Sequence, residues 1–315
     1  MKKLFTLISL VVVLSLALTA CGSQSKTPEF NSLEDLSGYA LCAGTATTYD
    51  YWLNNDMAGL GLPESSIYSK VPANVKVVTL DTDQECAQAL VAGRQDFVGY
   101  VTSETVVDAN IAAGMSVKKL GKPVYSEDLA AAFDKSSTLD TASLRAAVDM
   151  TFAKMHSDGS LSALSNQWFK SDLTQSPSGT AFTPSEAAPV DGDLLSTIKQ
   201  RGYLLVSTDP NYEPQSFLNT EGKRPSDSKC PADALTTAEM QGFDVDVAKA
   251  VGEAIGVETC FATPSWDTIT AGNWANKWDI SIGSMTVTTE RQKILDFSIP
   301  YYFTPAVIAV KVANP

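Results

Sequence analysis

The sequence predicts an α/β fold in two lobes, and three observations carry that expectation. Residues 39–169 alternate strand-like and helix-like segments, a run without periodicity follows over 172–192, and a second alternation fills 193–315. Strands alternating with helices of this length build parallel or mixed sheets covered on both faces. A chain of 315 residues is long enough for two such units, each with its own core.

The elements follow in order. Lys2 and Lys3 precede an apolar run from Leu4 to Ala20, closed by the small-residue pattern Leu18-Thr19-Ala20-Cys21. The run is short for a bilayer span and has no basic stop-transfer flank, so it reads as a cleaved export signal. A cysteine directly after Leu-Thr-Ala resembles the bacterial lipobox, which implies cleavage before Cys21 and lipidation of its thiol. Residues 22–35 are polar and read as a tether. The first alternation places strands at Tyr39–Ala43, Val75–Leu80 and Phe97–Val101, with helices near Thr48–Leu60 and Gln84–Ala92. A helix over Thr141–His156 presents Leu144, Val148, Phe152 and Met155 at helical spacing, with Gly159 at its end and a short helix Leu161–Phe169 beyond. Residues 172–192, rich in Pro, Ser, Thr, Gly and Ala, are a linker. The second alternation has strands Tyr203–Ser207, Val257–Ala262, Asp279–Ser284 and Val307–Val312, with helices Asp244–Ile255 and Trp266–Asn273.

Charge and cysteine count narrow the function classes. The formal charge is −13, and cleavage would remove Lys2 and Lys3 to leave −15. Nucleic acid is therefore not an expected partner, because phosphate neutralisation needs clustered Lys and Arg. With Cys21 lipidated, Cys42, Cys86, Cys230 and Cys260 remain, and an even number in an exported chain suggests two disulfides among three possible pairings. Pairs Cys42–Cys86 and Cys230–Cys260 would each fall within one lobe. Zinc is the competing use, but there is no C-x-x-C spacing and His156 is the sole histidine. No cofactor or metal is expected.

A family resemblance rests on longer stretches. Asp193-Leu-Leu-Ser-Thr-Ile-Lys-Gln-Arg-Gly-Tyr-Leu-Leu-Val-Ser-Thr-Asp and Gln241-Gly-Phe-Asp-Val-Asp-Val-Ala-Lys-Ala resemble the first lobe of family 3 extracellular solute-binding proteins, the polar amino-acid class. So do Pro264-Ser-Trp-Asp-Thr-Ile-Thr-Ala-Gly-Asn-Trp, the run from Trp278 to Arg291, and Leu295-Asp-Phe-Ser-Ile-Pro-Tyr-Tyr. Residues 36–169 resemble the later part of the same family, through Asp35-Leu-Ser-Gly, Gly44-Thr-Ala-Thr-Thr-Tyr, Ala92-Gly-Arg-Gln-Asp, Gly121-Lys-Pro-Val, Asp158-Gly and Gln167-Trp-Phe. The resemblance implies a two-lobed type 2 periplasmic-binding-protein fold, each lobe a mixed five-stranded sheet flanked by helices. The halves stand in the reverse of the family order, which suggests a circular permutation cut in the first hinge, with the old termini joined by the linker. A flexible linker of this length spans roughly 25 Å, and domain termini often lie close together. A truncated or tandem chain continuing beyond Pro315 is the rival account. The expected organisation is signal peptide 1–20, lipid anchor and tether 21–35, second lobe 36–125, hinge and terminal helices 126–171, linker 172–192, first lobe 193–315. Such a permutation would leave one strand crossing between the lobes.

The resemblance also implies a function, a substrate-binding lipoprotein of an ABC importer, lying outside the cytoplasm and working with a permease. Its ligand would be a small polar solute, an amino acid or related carboxylate, held between lobes that close by hinge motion. Gly283, Ser284 and Thr286 would face the crevice at the end of a strand, where open α/β sheets bind ligands. Arg291 offers a planar fork for a carboxylate, as the matching arginine does in the family; a surface ion pair with Glu290 or Asp296 is the bland reading. From the second lobe, Thr45, Thr47 and Thr48 precede a helix whose N-terminus suits an anion or is simply capped by one of them. Tyr212 and Trp266 fall where relatives place rings against the ligand, whereas Trp274 and Trp278 read as core. Asp209 either pairs with a cationic or amide group or caps a turn before Pro210. In many members a second-lobe aspartate, five residues after the Asp of Gly-Arg-x-Asp, receives the ligand ammonium. Here that position is Val101, with Thr102, Ser103 or Glu104 as candidate substitutes.

Two other classes remain. The same fold hosts cyclohexadienyl dehydratases, for which Asp209 or Glu104 would be the candidate acids, though no Ser–His–Asp or metal arrangement is available. A sensor module of this fold would be expected to continue into a transmembrane helix and signalling domain.

Overall fold

The computed structural model describes residues 28–176 and 182–312. The expected signal segment and Cys21 lie outside them. Residues 30–311 form one compact unit. Among the described residues no helix is long and apolar enough to cross a membrane.

The chain enters the second lobe through a short 3-10 turn, Glu34–Leu36. Phe30 and Leu36 are buried against the lobe's core, so the end of the expected tether is packed rather than free. Then come β1 (Ala40–Gly44), α1 (Thr48–Leu53), α2 (Met57–Leu60), β2 (Lys76–Leu80), α3 (Asp83–Val91), β3 (Gly99–Ser103), α4 (Glu104–Ala112) and the 18-residue β4 (Val117–Asp134). The single helix expected over Thr48–Leu60 is broken because Asn55 is left-handed (φ 54°) and Asp56 caps a new turn through Gly59 N–H. β3 begins two residues later than expected; a shift of two leaves every side chain on its expected face. Gly99 is required there, since a Cβ would meet the Ala309 carbonyl at 2.6 Å.

In the first lobe, α5 (Ala142–Asp158) and α6 (Ser160–Phe169) meet at Gly159, left-handed at φ 77° as its expected terminal position demands. The described part of 172–192 has no helix or strand, yet it is pinned. Phe303 N–H bonds the Leu173 carbonyl, Ser185 bonds Asp149, and Phe182 stacks on Phe303. Next are α7 (Leu194–Arg201), β5 (Tyr203–Ser207), β6 (Asn211–Tyr212), β7 (Ser216–Leu218), β8 (Leu235–Thr236), β9 (Met240–Gln241) and α8 (Phe243–Ile255). The last elements are β10 (Glu258–Ala262), α9 (Trp266–Thr270), β11 (Ile280–Thr286), β12 (Leu295–Phe297) and β13 (Tyr302–Lys311). α9 stops at Thr270, short of the expected Asn273, where Gly272 and Asn273 turn left-handed.

The strands join in the order β2-β1-β3-β13-β4-β11-β5-β10-β8, with β12 paired to β4. The second lobe holds β2-β1-β3-β13-β4 and the first β10-β5-β11-β4-β12, a mixed five-stranded sheet in each, with β8 added at one edge. β4 pairs with β13 from Val117 onward and with β11 and β12 at its far end, while β13 pairs with β3 over Gly99–Ser103. Two strands therefore cross between the lobes. The expectation of one crossing is corrected: residues 306–311, assigned to the first lobe from sequence, complete the second-lobe sheet. The first-lobe core gathers Leu144, Phe152, Leu204, Phe243, Phe261, Ile282, Tyr301 and Tyr302. Second-lobe cores lie on both faces of its sheet, one around Leu41, Trp52, Val101 and Tyr125 and the other around Cys42, Cys86 and Tyr100. Disulfides link Cys42 to Cys86 and Cys230 to Cys260.

Candidate functional site

A small cavity of about 40 Å³ lies between the lobes. The first lobe supplies Asp209, Tyr212, Trp266, Gly283, Ser284, Thr286 and Arg291, and the second Thr47, Thr48, Tyr49, Asp81, Thr82 and Asp83. The structure thus gathers nine of the residues singled out in the sequence. Thr45 is the exception. Its hydroxyl bonds the Leu80 carbonyl on the exposed side of the turn.

On the first-lobe wall, the pairing of β11 with β4 shifts register between Ser281 and Met285. Ser284 is left-handed there, at φ 55°. A non-glycine residue in that region is held by its surroundings, and here the holding groups are visible. Ser284 Oγ donates to Asp244 (2.7 Å), Ser284 N–H donates to Tyr301 Oη (2.9 Å), Tyr301 Oη donates to Asp244 (2.8 Å) and Tyr302 Oη to Ser284 Oγ (2.6 Å). Burial pushes Asp244 up to about 7, against the two hydroxyls that favour its ionised form.

Arg291 stands in a 3-10 turn and is 6% exposed. Its Nη1 donates to the Thr286 carbonyl (3.1 Å), its Nη2 to the Ala46 carbonyl across the cleft (3.2 Å), and its Cζ lies 5.5 Å from the centre of the Trp266 ring. The surface ion pair is not what it makes. Glu290 pairs with Lys293, and Asp296 with Lys135 and Arg145. Trp274 and Trp278 pack on each other in the core, as their sequence context suggests. Asp209 Oδ1 accepts the Asn211 N–H (2.8 Å), so the turn-cap reading holds while the side chain also lines the cavity.

On the second-lobe wall, Thr47 caps α1 and donates to the Gly44 carbonyl (2.7 Å). Thr48 is buried and donates to Glu127 Oε1 (2.5 Å), as Thr286 does from the other lobe (2.7 Å), while Tyr49 donates to Oε2 (3.0 Å). Glu127 lies on β4, where the chain crosses between lobes. Burial raises its pKa, opposed by those three hydroxyls and by the charge of Arg291. Asp83 opens α3. Its Oδ1 accepts the Gly44 N–H (2.7 Å) and its Oδ2 the Thr102 hydroxyl (2.9 Å). Burial pushes it up to about 7. Val101 packs in the core, Ser103 bonds Thr105 and Thr304, and Glu104 pairs with Lys119. Of the candidate substitutes, only Thr102 reaches a cavity residue. The sequence reading missed Tyr49, Asp81, Thr82, Asp83 and Glu127; the helix start at Thr82, with Glu85 three residues on, was the available signal for two of them.

The lobes touch directly around the cavity. Tyr49 and Tyr212 hydroxyls lie 3.3 Å apart, Gln215 Nε2 donates to Thr105 Oγ1 (2.7 Å), and Thr289 N–H to the Gly61 carbonyl (3.1 Å). The result is a partly open compartment whose lining includes one guanidinium, that of Arg291, and the carboxyl groups of Asp81, Asp83 and Asp209.

Residues 204–315 match the family model of bacterial extracellular solute-binding proteins, family 3. The L-cystine-binding protein TcyJ of Escherichia coli (strain K12) is 32% identical over 124 residues, which are 39% of this chain and 41% of that protein. The ABC transporter arginine-binding protein 1 of the same strain is 36% identical over 73 residues, 23% of this chain and 30% of that protein. The cyclohexadienyl dehydratase of Pseudomonas aeruginosa is 27% identical over 129 residues, 41% of this chain and 42% of the enzyme. The chain spans less than half the length of each of these relatives. Over residues 204–315 the chain is similar to the bacterial extracellular solute-binding proteins, family 3.

Proposed function

We propose that the protein is the substrate-binding component of an ABC importer, held outside the cytoplasm by lipid on Cys21, at the cell surface or in the periplasm, and capturing an amino acid or related small carboxylate. Arg291 carries this reading. It is a buried guanidinium in the wall of the cavity between the lobes, fixed by two carbonyls and paired with no carboxylate among the described residues. Such a fork takes a carboxylate in two parallel bonds. Thr47, Thr48, Thr286 and Ser284 would supply further hydrogen bonds, Trp266 and Tyr212 the walls, and Asp209 a partner for a polar side chain. The relatives named for cystine and arginine binding support an amino acid as ligand. In this reading the lobes stand in circularly permuted order. The family match lies in the later part of the chain, while the second-lobe strands β1, β2, β3 and β4 precede it. Capture would close the lobes about β4 and β13, and the permease would recognise the closed form.

The test is a thermal-shift screen of the chain from Gly22 against amino acids, cystine, opines and small carboxylates. A ligand at a hundred times its dissociation constant stabilises the fold by about 2.7 kcal/mol. A selective shift supports the reading, and a well-folded sample that responds to none of these compounds rejects it. An enzyme on the same fold is the second reading, favoured by Asp83, a cavity carboxyl that holds a proton near neutral pH. Turnover of prephenate or arogenate would establish it in place of transport.

A further inference from the structure

Two adjoining hollows, of about 330 and 300 Å³, lie where α5, the corner between β12 and β13 and the run 172–192 meet. Arg145, Phe182, Phe297, Ser298 and Pro300 border both hollows, and no residue of either borders the cavity that holds Arg291. Arg145 is the unusual member. Its Nε is buried and has no hydrogen-bond partner among the described residues. Its Nη1 meets Asp296 only at 3.6 Å, and Asp296 is shared with Lys135 at the same 3.6 Å. Hydrogen bonds to oxygen from such a group close to about 2.7–3.2 Å, so this ion pair leaves the fork unsatisfied. A buried donor without an acceptor costs more than a made bond returns, and it calls for an explanation.

The carboxyl groups nearby do not answer it. Asp149 borders the smaller hollow, but its oxygens accept the Ile299 N–H and both the N–H and the hydroxyl of Ser185. Asp128 and Asp296 border only the larger hollow. In the smaller hollow Arg145 is therefore the one cation, and the carboxylate beside it is already held by three donors. The remaining walls are largely apolar, from Phe182, Phe297 and Pro300. Phe182 belongs to the run between the two alternations of the sequence, and it is fixed by stacking on Phe303 of β13.

We propose that the smaller hollow is a second binding site, for a small carboxylate with a flat apolar body. The carboxylate takes the Arg145 fork, whose planar geometry matches it in two parallel bonds. The apolar body lies against Phe182 and Phe297, which an inorganic anion would leave uncovered. The site stands apart from the one in the proposed function and does not depend on it.

The test uses 4-fluorobenzoate as probe, followed by fluorine NMR, with Arg291→Ala as the background so that the fork in the cavity between the lobes is removed. That chain should bind the probe saturably, with a dissociation constant on the order of millimolar. Adding Arg145→Gln should weaken binding at least about tenfold, and adding Phe182→Ala at least about threefold. Melting curves are recorded first for each chain. No saturable binding up to about 20 mM overturns the proposal. So does an affinity that Arg145→Gln leaves within about twofold, which would mean diffuse attraction of an anion. Binding by wild type that Arg291→Ala abolishes also overturns it, because the probe then occupies the cavity between the lobes and the transport reading stands. Should Arg145→Gln not melt cooperatively, Phe182→Ala decides, since its segment carries no helix or strand. An unchanged affinity there overturns the site.

Discussion

Replacing Arg291 separates a binding residue from a structural one, because the two roles predict opposite balances of affinity and stability. The guanidinium has five N–H donors. Two are spent on the Thr286 and Ala46 carbonyls at 3.1 and 3.2 Å, which leaves one donor on each terminal nitrogen for a carboxylate. A desolvated, forked pair of this kind is lost at about 2–5 kcal/mol when one partner is truncated, or roughly 30- to 5,000-fold in affinity. Loss of the Ala46 bond, which bridges the cleft, adds about 0.5–1.5 kcal/mol against closure. Arg291→Ala should therefore weaken the ligand found by the thermal screen by at least about a hundredfold, with Arg291→Lys between it and wild type, since charge survives but the fork does not. The free protein should behave differently. Its buried cation has no carboxylate partner, so removing it takes away a desolvation penalty along with two hydrogen bonds, and apo stability should change by less than about 1.5 kcal/mol. Titration calorimetry and urea unfolding of the two variants provide both numbers. An affinity loss under threefold, or an apo destabilisation above about 3 kcal/mol, would contradict a ligand-binding role for Arg291.

Other outcomes follow from the same structure. Asp83 and Asp244 both rise from 3.8 to about 7 on folding, so each contributes stability that is complete below pH 4 and lost as pH climbs through 7. The upper bound is about 4 kcal/mol per group, and urea midpoints of the apo protein at pH 5.5 should exceed those at pH 8.5, a difference that shrinks in Asp244→Asn; equal midpoints would count against the buried, cation-free state of both. Asp244→Ala leaves Ser284 and Tyr301 without their acceptor and should destabilise by about 2–4 kcal/mol, with Asp244→Asn milder. Replacing Cys42 and Cys86 by serine frees a separation of 44 residues, and Cys230 with Cys260 one of 30. Chain entropy assigns these about 4 and 3.6 kcal/mol, measurable as two successive drops in the midpoint of thermal unfolding.

The first-lobe half of the site was legible because its residues come in contiguous stretches whose strand and turn chemistry is local. Gly283, Ser284 and Thr286 lie on one strand, Arg291 is five residues on, and Asp209 and Tyr212 follow directly from β5. The second-lobe half was not legible in the same way. Asp83 enters the cavity only because β1 brings the Gly44 N–H, and β3 the Thr102 hydroxyl, to the start of α3, and these are pairings between distant segments. Glu127 was hidden by β4. Gly121 and Pro123 lower its strand propensity, and its far half is buried almost throughout, so the alternation that marks a half-exposed strand is absent. Thr45 was misplaced by turn geometry: Ala46 is left-handed at φ 60°, which rotates Thr45 away from the side that Thr47 and Thr48 face.

The two crossing strands make the permuted order of lobes proposed above compatible with the sheet topology. β4 is the outer strand of the second-lobe sheet in its first half and an inner strand of the first-lobe sheet in its second. β13 leaves the first lobe beside β12 and becomes an inner strand of the second. Each lobe therefore lends the other a strand, and neither sheet is complete alone. Because the exchange is reciprocal, either lobe can come first in the chain without a change in sheet topology. The crossing is also where the ladder is weakest. Pro305, opposite Ser126, has no N–H to donate, and the pairing shifts register between Ala306 and Ile308. A local loss of ladder bonds lets two paired strands bend together. Glu127 sits at that point, opposite Thr304, and collects hydroxyls from Thr48 in one lobe and Thr286 in the other. Bending that opened the cleft would pull those hydroxyls apart and leave a buried carboxylate unsatisfied, so the hinge itself favours the closed geometry in which Arg291 and Asp83 face the same cavity.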